Sequence, residues 1–78
     1  MKYNYSLLRS QVIQKRRDLE IEESKIISMN KIADRIGIKN YTLNKAMNAD
    51  AFPSVETLHL ICKFLATRME DYVLEDDV

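Results

Sequence analysis

Four side chains within six residues carry the chemistry most specific to this chain: Asn40, Tyr41, Asn44 and Lys45. Set on a helix, positions 40, 41, 44 and 45 share one face, because residues three and four apart are neighbours on a 3.6-residue repeat. An Asn amide carries a donor and an acceptor at the spacing of an adenine edge. A Lys ammonium donates to guanine, and a Tyr ring offers apolar contact to a thymine methyl. These are the tools of base-edge recognition in a DNA groove. Two of the positions have other uses open to them. Asn40 can cap the start of its helix, since Lys39 has no side chain suited to that job, and Tyr41 can serve as a half-buried packing residue. Asn44 and Lys45 on an ordinary solvated face is the alternative for the remaining pair.

The elements that must position these residues are short helices. Ser28 is a good N-cap for a helix whose buried stripe is Ile32, Ala33 and Ile36. Gly37, the only glycine, ends it by supplying the left-handed conformation of a tight turn, and Ile38 plugs that turn. The next helix covers about Asn40 to Met47, with Leu43, Ala46 and Met47 inward. A short helix, a glycine turn and a second short helix with a polar outer face make a helix-turn-helix, spanning 28–47. Upstream, a helix is predicted from Ser6, its cap, to about Arg17, with Leu8 and Val12 inward. The acidic stretch 18–24 either extends it or forms a loop. Downstream, Pro53-Ser54 opens a helix with Leu58, Ile61, Cys62 and Leu65 inward, reaching about Ala66. A last short helix, Met69 to Leu74, follows. No alternation of β-branched residues suggests a strand. The expectation is one all-α domain of five helices over residues 1–78, with an acidic tail at 75–78.

These residues resemble the phage-repressor-like helix-turn-helix family, the XRE or Cro type. Its Ser-x-x-x-Leu-Ala-x-x-x-Gly-Val pattern appears as Ser28, Ile32, Ala33, Gly37 and Ile38. Its Thr-Ile pair appears as Thr42-Leu43, and its Pro-Ser-x-x-Thr-Leu signature as Pro53, Ser54, Thr57 and Leu58. Its closing pattern appears as Ile61, Cys62, Leu65 and Tyr72-Val73. The chain departs from the family in a longer segment at Asp18–Ile27, in Lys39 where Ser or Thr is usual, and in Ala49 where Gly is common. The resemblance implies a compact five-helix lambda-repressor-like fold. It implies base contacts from Lys39, Asn40, Tyr41, Asn44 and Lys45. Phosphate contacts are implied around Ser28, from the backbone N–H groups near Met29 and Asn30, and from Lys31 and Asn48. A helix N-terminus suits phosphate because its unpaired N–H groups and dipole attract anions. Lys31 and Asn48 are otherwise plain solvent-exposed residues. Arg16 and Arg17 either touch the DNA backbone or pair with Asp18 or Glu20.

Charge distribution supports the same reading. The 78 residues carry 12 bases and 12 acids, so net charge is zero. The bases, however, concentrate before position 47: Lys2, Arg9, Lys15, Arg16 and Arg17 have no acid among them, Asp18, Glu20, Glu22 and Glu23 then follow with no base, and Lys25, Lys31, Arg35, Lys39 and Lys45 face Asp34 alone. Seven acids lie beyond position 47 against Lys63 and Arg68. A basic N-terminal half and an acidic C-terminal third fit a molecule that presents one face to nucleic acid.

Other chemistries lack their parts. One Cys and one His do not make a four-ligand zinc site. His59 reads as a surface residue and Cys62 as a small core residue. No nucleophile, base and Gly-rich loop converge, so the expectation is a non-enzyme with no cofactor. Neither a signal peptide nor a membrane-spanning stretch is legible, which points to the cytoplasm. The expected partners are double-stranded DNA and a second copy, the dimer reading half-sites about 34 Å apart. Met69, Tyr72, Val73, Leu74 and Val78 offer the apolar surface for that dimer. A protein-binding regulator on the same fold, an antirepressor or antitoxin, is the alternative, favoured by the acidic C-terminal third.

Overall fold

A computed structural model describes residues 2–75. The described chain is mostly helical, with α1 at Tyr5–Glu23, α2 at Met29–Ile36, α3 at Asn40–Asn48 and α4 at Val55–Leu65. A single 3-10 turn follows at Met69–Tyr72. Two short strands complete the chain. Lys2–Tyr3 (β1) pairs antiparallel with Val73–Leu74 (β2), Lys2 opposite Leu74 and Tyr3 opposite Val73.

Two expectations are therefore corrected. Among the described residues there are four α-helices rather than five, and a ribbon stands where no strand was expected. The cause is tertiary. Tyr72 is fully buried, and its hydroxyl donates to Gln11 Oε1 and meets Thr67 Oγ1 at 2.6 Å. Its carbonyl accepts the Asn4 N–H at 2.7 Å. Pinned in this way, the segment stops after one turn, and Val73 and Leu74 run on as a strand. Two-residue strands carry no period that a sequence can display.

The first helix also differs from expectation. Its cap is Asn4, whose side chain accepts the Leu7 N–H at 3.2 Å, and Ser6 lies exposed in the first turn. Helix α1 continues through the acidic stretch to Glu23. Acids near a helix C-terminus oppose its dipole, but here two of them are used elsewhere. Glu20 accepts the Ile27 N–H at 2.8 Å, and Glu23 forms a two-pronged pair with Arg35 at 2.5 and 2.7 Å. That pair holds the Glu23 carboxyl well down, to about 2. Ser24 then closes the helix in the left-handed conformation, at φ 54°.

The remaining helices follow the sequence. Ser28 and Ser54 cap α2 and α4 by accepting the N–H of Lys31 and Thr57. Gly37 adopts φ 95° between α2 and α3. The core is continuous: Leu8 and Val12 of α1 meet Ile32, Ala33 and Ile36 of α2, Leu43, Ala46 and Met47 of α3, and Leu58, Ile61 and Cys62 of α4. Tyr3, Ile27 and Tyr72 complete it from outside the helices. Because Tyr72 is core, it is removed from the expected dimer surface. Val78, another residue of that surface, and most of the 75–78 tail lie outside the described residues. Among the described residues no helix is long and apolar enough to cross a membrane.

Candidate nucleic-acid interface

Helix α3 is held from beneath by its apolar stripe and from its C-terminal end by the ribbon. The last carbonyls of a helix have no partner within it. Tyr3, carried by β1, donates its hydroxyl to one of them, the Ala46 carbonyl, at 2.5 Å. The Tyr3 ring also lies against Phe52, with centroids 5.4 Å apart and planes tilted by 39°. Residue 3 thus fixes both the end of α3 and the loop that follows it. Burial pushes the Tyr3 hydroxyl strongly upward in pKa, so it stays a proton donor.

The outer face of α3 presents Tyr41, Asn44 and Lys45, all exposed, with Tyr41 at 74%. Lys39 is exposed just before the helix. No acid occurs between 39 and 49. Tyr41 and Lys45 line one cleft together with Phe52 and Pro53.

Asn40 behaves differently from the others. It is the first residue of α3 rather than its cap. The cap position belongs to Lys39, which has the extended backbone of a cap but makes no capping bond. Asn40 is only half-exposed, and its Oδ1 is buried without a hydrogen-bond partner among the described residues. Pairing with adenine through both amide atoms requires this side chain to turn outward first.

At the start of α2, Ser28, Asn30 and Lys31 are exposed, and Met29 is half-buried against the core. Ser28 Oγ accepts the Lys31 N–H at 3.3 Å. The N–H groups of Met29 and Asn30 belong to the first turn, where helices have no internal acceptor to offer. Together with the exposed Lys31 in the same turn, they suit a phosphate oxygen. Asn48 is exposed at the other end of α3 and donates its Nδ2 to the Asn44 carbonyl at 2.9 Å. The second N–H of that amide stays free to donate to a phosphate oxygen.

The ion pairs sort the surrounding charge. Arg35 is engaged by Glu23, and Lys25 lies 3.5 Å from the same carboxylate. Arg16 is half-buried, with its Nε enclosed. Lys31, Lys39 and Lys45 remain as exposed cations around α2 and α3. His59 is exposed and Cys62 buried. Phe52, which sequence reasoning did not single out, lies 46% exposed beside this face. Its one sequence signal is an aromatic residue directly before Pro53.

No family model, curated protein or solved structure matches this chain.

Proposed function

We propose that this chain is a sequence-specific DNA-binding transcriptional regulator in which α2, the Gly37 turn and α3 act as a helix-turn-helix. The observation that carries this reading is the outer face of α3. It exposes Tyr41, Asn44 and Lys45, has no acid, and is braced from behind by Tyr3. A face built only for solvent does not need an exposed aromatic ring or a fixed helix end. Helix α3 lies in the major groove, and the first turn of α2, with Lys31, rests on the phosphates. By occupying an operator as a dimer, the protein acts as a small repressor of phage or mobile-element type, in the cytoplasm.

Zero net charge is compatible with this role, because Glu20 and Glu23 are spent on internal bonds. A protein-binding regulator is the second reading, and one observation favours it. Ile21 and Ile26 stand 79% and 93% exposed where α1 turns toward α2. Two such aliphatic residues side by side suit contact with another protein or a second copy.

The test is selection of bound duplexes from random DNA, followed by titration of the best duplex at roughly 50 to 200 mM salt. The expected result is a defined motif and a steep loss of affinity with salt. Lys45→Ala and Asn44→Ala change the preferred base at particular positions, each costing about 1–3 kcal/mol. Lys31→Ala weakens all sequences alike and lowers the salt slope by about one. No enriched duplex, or an affinity indifferent to salt, overturns the reading.

A further inference from the structure

We infer that the cleft between α3 and the 49–54 loop receives a thymine 5-methyl group and that Phe52 is a specificity residue; this rests on the DNA reading above. The cleft, of about 250 Å³, lies between Tyr41, Thr42 and Lys45 on one side and Phe52, Pro53 and Thr57 on the other. Two of its hydroxyls are engaged with each other. Ser54 Oγ donates to Thr57 Oγ1 at 2.9 Å and accepts the Thr57 N–H at 3.2 Å. Among the described residues no acid lines it. The Tyr41 and Phe52 rings and Pro53 give it apolar walls, beside the Lys45 ammonium and the Tyr41 and Thr42 hydroxyls.

That combination selects its occupant. On the major-groove edge of base pairs the apolar substituent is the thymine methyl, and every other feature is a donor or acceptor. Tyr41 and Lys45 are four residues apart on the exposed face of α3, so a base met by Lys45 brings its neighbour to the Tyr41 ring. Phe52 closes the far side. Its ring is held against Tyr3, so little freedom is lost when a ligand arrives. An exposed aromatic kept in place beside the reading helix is thereby explained.

The experiment uses the full chain and the duplex it selects most strongly from random DNA. Each thymidine is replaced in turn by deoxyuridine, which keeps base pairing and removes only the methyl. At one position wild-type affinity falls about fourfold, the equivalent of one buried methyl at about 0.8 kcal/mol. Phe52→Ala abolishes that step and leaves the other positions as they were. Because Phe52 also packs on Tyr3, Tyr41→Ala provides a second route: its ring is 74% exposed, the fold does not depend on it, and the same step disappears. A deoxyuridine scan that is flat in the wild type, or a step that persists in both variants, overturns the inference while leaving DNA binding intact. Failure to select any duplex overturns the DNA reading itself, and this inference with it.

Discussion

Tyr3→Phe removes one oxygen and tests how α3 is held. The Tyr3 ring is 3% exposed, and Ala46, whose carbonyl takes the hydroxyl, is 2% exposed. The variant leaves that carbonyl in the core without a partner while the ring packing is unchanged. An unsatisfied buried acceptor costs about 1–3 kcal/mol. At about 1.5 kcal/mol, and about 4–8 °C per kcal/mol for a domain of this size, the melting temperature falls by about 6–12 °C. The pH dependence is the sharper part. Burial, and then the nearby Tyr72, raise the Tyr3 pKa in the folded state above its ordinary value of 10.0. Below pH 10 both states hold the proton and the contribution is complete. Above it the unfolded chain releases a proton that the folded chain retains, so stability falls by about 1.4 kcal/mol per pH unit. The phenyl ring of the variant has no proton to release. The advantage of the wild type over the variant therefore shrinks from about 1.5 kcal/mol at pH 7 to near zero by about pH 11. Tyr72 and Cys62, also pushed upward by burial, titrate in both proteins and cancel in the difference. Denaturant melts of the two proteins at a series of pH values measure it. Equal stability at pH 7, or a gap that stays constant to pH 11, refutes the role given to this hydroxyl.

Two further outcomes are expected. Gly37→Val lowers stability by about 1 kcal/mol or more: a Cβ there meets nothing within 4 Å, and the cost comes from the positive φ, which a β-branched residue resists. Thermal melting reads it, and an unchanged midpoint means that the turn does not hold this conformation in solution. Lys39→Ser supplies the cap that α3 lacks. It raises stability by about 0.5–1 kcal/mol while weakening DNA binding through loss of a cation, so melting and binding move in opposite directions; a change of the same sign in both is the refuting result.

Helices α2 and α4 were legible because each combines a local cap with a clean apolar stripe, Ser28 and Gly37 bounding α2 and Ser54 opening α4, while α3 was legible from its stripe of Leu43, Ala46 and Met47 alone. The length of α1 was not, because the fate of Glu23 depends on Arg35, twelve residues away and on another helix. Tyr3 was missed, and Tyr72 was assigned to a dimer surface instead of the core, for the same reason. Each looks like an ordinary aromatic near a chain end until the ribbon brings residues 3 and 73 side by side. In the candidate site, the exposed places of Tyr41, Asn44 and Lys45 followed from periodicity. The inward turn of the Asn40 amide and the placement of Phe52 did not, since both depend on packing between elements distant in sequence.

The ribbon also orders events in time. Pairing Lys2 with Leu74 closes a loop of nearly the whole chain, and loop-closure entropy is repaid only after such a contact forms. The helices, whose bonds are local, assemble first, and the ends are laced together late. Interactions made after the folding barrier act on the rate of unfolding and leave the rate of folding almost untouched. The Tyr3 hydroxyl works as a latch of this kind: the end of α3 is set last during folding, and its release is an early step on the way out.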